Sequence, residues 1–166
     1  MNGREFFKRY EKLINICVKS VQLLPINFRE VLFGSLRNMP GKCGMFLRYV
    51  LLATLAKHIG QNVVIFPMVF FKHLENLSLG NNVSIHPMCY VDAEGGIEIG
   101  NDVSIAHRTT ILSSNHTYTN NTMPIKYQPM SLAKTVIHDN VWIGCGCVLL
   151  AGVEVGRGGL LAQILQ

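Results

Sequence analysis

One histidine in this 166-residue chain stands where a side chain is free to act. His116 lies within Ser113-Ser114-Asn115-His116-Thr117-Tyr118-Thr119-Asn120-Asn121, a polar segment that runs on into Pro124 and Pro129 and has no apolar face to pack. An imidazole with its ordinary pKa of about 6.5 takes up and returns a proton near neutrality, so the position suits proton transfer. A surface-loop histidine without a task is the plainer reading. The remaining histidines, at 58, 73, 86, 107 and 138, raise the question of a metal. Zinc needs ligand nitrogens about 2.0–2.1 Å from one point. His86 follows Ile85, His107 is two beyond Ile105, and His138 follows Ile137 in a different column, so the three do not converge and no metal is expected. The five cysteines (17, 43, 89, 145, 147) form no C-x-x-C pair and read as buried thiols of a reducing cytosol. Trp142, next to Ile143, should point outward, and a large outward aromatic calls for a cover.

The elements that position these residues follow from a repeat. Aliphatic or aromatic residues recur at Ile65, Phe71, Leu79, Ile85, Val91, Ile99, Ile105, Ile111, Ile137, Ile143, Leu149, Val155 and Leu161. Successive positions are six or eight apart, except for a step of 26 between Ile111 and Ile137. Six residues make one short flat strand and a corner, so three such units close a triangular coil whose leading aliphatics stack inward as a column. The long step is six plus twenty, an excursion over about 113–134 that must leave the coil.

Before Gly60 the period is helical. Phe6, Phe7, Tyr10, Leu13, Ile14, Cys17, Val21 and Leu24 predict a helix from Arg4 to Leu24, ended by Pro25. Asn27 with Glu30 reads as a capping box for a short second helix, broken at Met39-Pro40-Gly41, and a third helix is expected from about Gly44 to His58. Residues 1–60 form the expected basic helical cap region, with 61–166 as the coil: an open coil end exposes strand edges and column, and an amphipathic segment can plug it. Residues 1–60 hold ten Lys/Arg against three Glu, while the rest carries five basic and seven acidic residues. That asymmetry suits an anionic partner such as membrane lipid, nucleic acid or a phosphorylated ligand; a cap whose polar face is simply basic is the plainer reading. Nucleic acid is not expected. The apolar run Tyr49–Ala56 is far short of the roughly 18 residues of a spanning helix, and Met1–Arg9 lacks a signal-peptide core, which predicts a cytoplasmic protein, with the basic helices reaching a membrane face.

Over about Gly60 to Gly158, the segments Leu79-Gly80-Asn81-Asn82-Val83, Cys89-Tyr90-Val91-Asp92-Ala93, Gly95-Gly96-Ile97-Glu98-Ile99-Gly100, Ser114-Asn115-His116 and Val141-Trp142-Ile143-Gly144 resemble the hexapeptide-repeat acyltransferases, in their sugar O-acetyltransferase branch. The Pro40-Gly41, Gly44, Leu47-Arg48 stretch is similar to the polysaccharide-modifying members. The resemblance implies a mainly β fold, a left-handed parallel β-helix of about four to five coils, working as a homotrimer with sites between subunits. It implies an acetyl-CoA-dependent O-acetyltransferase acting on a sugar or oligosaccharide hydroxyl in surface-polysaccharide synthesis. His116 then corresponds to the general base, Trp142 to the residue lining the intersubunit groove, and Asn115, His86 and Asp92 to acceptor contacts. Gly144, Gly146, Gly152 and Ala162, with Trp142, fall in the coils that hold coenzyme A. Backbone N–H groups of the glycine-rich wall are the expected oxyanion donors.

The match is imperfect in places. The branch has Asn where His86 stands, and its Asp lies one position later than Asp92. After Gly159 the pattern fails, Leu165 replaces a small residue and no basic tail follows, which would leave the donor site incomplete. Two alternatives stay open: transfer to another small acceptor such as serine or an antibiotic, and a catalytically silent trimeric scaffold.

Overall fold

A computed structural model describes residues 3–162, apart from the side chains of Arg4 and Phe6; the expectations resting on Phe6 and Leu165 lie outside it. Three helices come first: α1 (Gly3–Gln22), α2 (Ile26–Ser35) and α3 (Gly41–Leu55). α2 begins on Pro25, whose carbonyl accepts from the N–H groups of Phe28 and Arg29, so Asn27 lies inside the helix and the expected capping box does not form. α3 starts three residues earlier than its periodicity predicts and stops at Leu55, because Ala56 is extended and the Lys57 N–H already bonds to the Leu74 carbonyl of the coil. The first coil strand is therefore His58–Ile59, ahead of the expected boundary at 61.

α3 lies across the end of the coil. Its Leu51, Leu52 and Leu55 join Val63, Ile65 and Leu77 in one buried cluster, and α1 and α2 both pack on α3 from outside. Arg48 fastens the junction. Only 1% exposed, it donates from Nε to the Ile65 carbonyl at 2.9 Å and from Nη1 to those of Met39 (2.7 Å), Leu36 (3.2 Å) and Arg37 (3.3 Å). A cation suits this place because the carbonyls just past α2 are the negative end of its dipole. Gly44 is required beside it, since a methyl group there would overlap the Met39 carbonyl. Tyr49 closes the same seam by donating to the Gly60 carbonyl and packing edge-on against Phe7; burial, then Glu11, pushes its pKa up to about 12.

From His58 onward the chain is a left-handed parallel β-helix of about five turns. His58–Ile59, Leu77–Leu79, Ile97–Ile99, Thr135–Ile137 and Glu154–Val155 stack as its first face. Val64–Ile65, Ser84–Ile85, Ser104–Ile105, Trp142–Ile143 and Leu160–Leu161 make the second, and Phe70–Lys72, Tyr90–Asp92, Thr110–Leu112 and Val148–Leu149 the third. The expected column is observed: Ile65, Leu79, Ile85, Val91, Ile105, Ile111 and Ile143 are all 0% exposed.

Sharp corners let the strands be so short. The first-to-second corner puts Asn62, Asn82, Asp102 and Asn140 in the left-handed region, which Asn and Asp enter at low cost. The second-to-third corner puts Met68, Met88, Arg108 and Gly146 there. Side chains rivet the first-to-second corner along the axis: the N–H groups of Gln61, Asn81 and Asn101 each donate to the carboxamide or carboxylate one coil on, Asn81, Asn101 and Asp139 respectively, at 2.8, 2.8 and 2.6 Å. Of the cysteines only Cys89 is buried. Cys43 and Cys145 are exposed, because one begins α3 on its outer side and the other turns out at a corner, which corrects the reading of all five as buried thiols.

Candidate active site

The third-to-first corner is where the coil departs from its rhythm. Phe71 to Leu79 and Val91 to Ile99 each take two residues more than six, Ile111 to Ile137 takes twenty more, and Leu149 to Val155 takes none. All extra chain therefore leaves along one edge of the prism. The longest excursion is an ordered arm: Ser114–His116 pairs antiparallel with Met130–Leu132, placing Asn115 opposite Ser131 and His116 opposite Met130. An open loop is thus replaced by a hairpin.

Its root is fixed to the coil. The Ser113 hydroxyl donates to the Asp92 carbonyl and accepts from the Gly95 N–H, both at 2.9 Å, while the Ala133 N–H bonds to the Ser113 carbonyl. Gly95 is needed there, since a Cβ would strike that carbonyl. Farther out, buried Gln128 clasps the arm by donating to the carbonyls of Asn120 (2.8 Å) and Met123 (2.9 Å) and accepting from the Asn120 N–H. The arm leaves Asn115 half-buried and His116 exposed, and among the described residues no side chain hydrogen-bonds to the His116 ring. A hairpin tied at its root and clasped by Gln128 thus carries an exposed imidazole.

One coil below the root, Asp92 is 14% exposed. Its Oδ2 accepts from the Tyr90 hydroxyl at 3.3 Å and its Oδ1, without a hydrogen-bond donor, faces His73 Nε2 at 3.9 Å. Lys72 has a raised pKa, first from its hydrogen bond with Tyr90 and further from the charges of Tyr90, Asp92 and Glu94. His73, Asp92 and Glu94 offer donor atoms within 4.8 Å of one another, the one group with that spacing among the described residues. Of the three histidines weighed from sequence, His86 and His107 neighbour each other, whereas His138 sits on another corner and pairs with Glu154 at 2.6 Å. The sequence offers His73 only as one of the histidines that raise the metal question and does not single out Glu94, although the two-residue insertions at their corner were the available signal.

The structure separates the other expected site residues. His86 lies at the second-to-third corner, its ring stacked on Phe66 at 4.7 Å and its pKa lowered by burial and by His107, so within one chain it does not share a pocket with Asp92. Trp142 stands on the second face between Ser104 and Leu160, half exposed as an outward residue. Gly144, Gly146 and Ala162 follow along the second-to-third corner beside it, while Gly152 lies on the arm's edge, where its N–H bonds to the Ala133 carbonyl. The expected oxyanion donors are occupied. Gly144 N–H bonds to the Leu161 carbonyl, Gly146 to His107 and Gly152 to Ala133, because a stacked coil spends these N–H groups on its own ladder. Exposed Cys145, between Gly144 and Gly146, was not singled out from sequence as a site residue; the Cys147 thiol pKa is raised by burial and then by Cys145.

Residues 134–162 match the family model described as bacterial transferase hexapeptide (six repeats). Hexapeptide repeats thus occupy the last coils of the chain. Solved structures share the architecture. A galactoside acetyltransferase in complex with coenzyme A superposes with a TM-score of 0.68 at 20% identity, over 82% of this chain and 69% of that one. A hexapeptide-repeat acetyltransferase, VCA0836 from Vibrio cholerae, gives 0.67 at 22% identity over 82% and 77%. AntD, an N-acyltransferase from Bacillus cereus solved with dTDP and 3-hydroxybutyryl-CoA, gives 0.53 at 20% identity over 72% and 78%. No curated protein matches by sequence. The hexapeptide coil thus presents one edge with an arm, a histidine and a carboxylate, and another with Trp142 and small residues.

Proposed function

We propose that this hexapeptide-repeat protein is an acetyl-CoA-dependent O-acetyltransferase that acetylates a sugar hydroxyl, serving surface-polysaccharide synthesis on the cytoplasmic side as a homotrimer with its sites between subunits. One observation carries the reading: the coil extrudes a clasped hairpin that carries an exposed imidazole. The solved relatives with coenzyme A or acyl-CoA bound support the donor class, and those proteins' acceptors support a sugar.

In this reading the acceptor hydroxyl gives its proton to neutral His116 as its oxygen attacks the thioester carbonyl. The C–S bond then breaks, and the imidazolium returns the proton to the departing thiolate, giving the ester and free thiol. Asn115 and Asp92 orient the acceptor. Trp142 with Gly144, Gly146 and Ala162 flanks the donor, where small residues leave room for a pantetheine arm. The oxyanion donor comes from outside the glycine corner, whose N–H groups are already bonded.

The test is thiol release from acetyl-CoA with a panel of candidate sugars. Turnover should fall at least about 10²-fold in His116→Ala while the calorimetric affinity for coenzyme A is unchanged. An active His116→Ala variant removes the base, and a wild-type chain that does not bind coenzyme A leaves only the scaffold.

A further inference from the structure

Four of the ten cations of residues 1–60, Lys8, Arg9, Lys12 and Lys19, stand together on one side of α1. α1 buries Ile14 (2% exposed) and packs Phe7, Cys17, Val18 and Val21 toward the protein, so its opposite side faces solvent. That side consists of two adjacent rows at the i, i+4, i+7, i+11 spacing of a helix surface. One row is Lys8, Lys12, Asn15 and Lys19, and the next is Arg9, Leu13, Ile16 and Ser20; every one of them is exposed. Glu5 sits in the first turn, and Glu11 turns toward the coil, where it accepts a hydrogen bond from Gln61.

Large apolar side chains share this exposed region. Leu13 is 55% exposed and Ile16 61%, within the cationic rows. At the elbow after α1, Leu23 reaches 87%, and on α2 Phe28 and Val31 stand out at 49% and 64%. A surface built for water alone would not place Leu13 and Ile16 among four cations and leave Leu23, Phe28 and Val31 exposed on the elbow and helix that follow. Lysine stems can lie along apolar surface while their ammonium groups reach phosphates, and the apolar tips between them gain from entering a region free of water.

We propose that the outer surface of α1, with the elbow at Leu23 and the outer side of α2, seats the protein on an anionic phospholipid bilayer. Charge complementarity names the partner: cations meet lipid phosphates, and Leu13, Ile16, Leu23, Phe28 and Val31 meet the acyl boundary. A nucleic-acid backbone would use the charge and leave those apolar groups wet. The helices lie in the interface plane and do not cross it; among the described residues no helix is long and apolar enough to span a membrane. The surface is separate from the arm and its histidine, so this inference stands independently of the acyl-transfer reading.

The experiment is co-sedimentation of the full chain with phosphatidylcholine vesicles, with and without about one-third phosphatidylglycerol. Binding is expected on the anionic vesicles, weakening as salt rises. Each lysine at such a surface gives about a fivefold change in partitioning, so Lys8→Gln/Lys12→Gln/Lys19→Gln should bind about 100-fold less well with an unchanged circular dichroism spectrum. A Leu23→Ser/Phe28→Ser variant should lose binding at fixed charge. The proposal is overturned by absent binding of the wild type to anionic vesicles, or by a triple variant that binds as well as wild type. A Leu13→Ser/Ile16→Ser variant that changes the oligomeric state also overturns it, since a second copy then covers the surface.

Discussion

Replacing Arg48 by Met tests whether the cap is bolted to the coil by one side chain. The perturbation removes the guanidinium and keeps most of the stem. Four carbonyls lose a donor, two at short distances (Met39 at 2.7 Å, Ile65 at 2.9 Å) and two at longer ones (Leu36 at 3.2 Å, Arg37 at 3.3 Å). Hydrogen bonds to charged groups contribute about 1.5–3 kcal/mol each, so the two short ones alone amount to about 3–6 kcal/mol. Against this stands the cost of burying a cation that is 1% exposed and, among the described residues, pairs with no carboxylate and leaves Nη2 without a partner. The net expectation is a loss of about 3 kcal/mol, or roughly 6–12 °C in thermal midpoint for a chain of this size. Arg48→Lys should recover less than half, since one ammonium cannot reach both Ile65 and Met39. The assay is thermal unfolding followed by circular dichroism at pH 7 and fixed protein concentration. A midpoint for Arg48→Met within about 2 °C of wild type, or Arg48→Lys indistinguishable from wild type, would refute the reasoning.

Other expectations concern the arm and the pH limits of stability. Gly95→Ala should cost about 1–3 kcal/mol, because its Cβ meets the Ser113 carbonyl, and the same variant should shift the arm's nuclear magnetic resonance signals. Gln128→Ala should leave the global midpoint within a few degrees while speeding hydrogen exchange across 114–132, since the clasp serves only the arm. The Asn101 backbone N–H holds the Asp139 carboxyl below its usual range, so its contribution is whole above about pH 3.9 and is lost as pH falls through the lowered value. Asp139→Asn keeps the acceptor and should flatten the acid limb of the midpoint below about pH 4. Tyr49, pushed up to about 12, contributes stability that is whole below about pH 10 and lost as pH rises toward 12; Tyr49→Phe should remove that alkaline slope.

The coil was readable because a column repeats its demand at every sixth residue, and no single exception hides it. The corners were half readable: Asn62, Asn82 and Asn140 are ordinary left-handed residues, whereas Met68, Met88 and Arg108 in the same conformation have no sequence signature. The arm's departure point followed from the broken interval. Its hairpin did not, since Ser114, Asn115, Ser131 and Leu132 alternate weakly and the pairing is held by Gln128 and Ser113 through bonds between positions far apart in sequence. Helix edges moved by a few residues where coil contacts overrode local signals, as at Lys57. His116 announced itself by its setting, while His73 and Glu94 became neighbours of Asp92 only because successive coils stack their corners.

That every insertion leaves along one edge has a practical consequence. At that corner neighbouring coils can differ by two, twenty or no residues while the column beneath keeps its register. The prism therefore behaves as a socketed rail: appendages of different length or chemistry can be exchanged at the same mount, and the working reach of the molecule can be retuned without recutting the barrel that bears it.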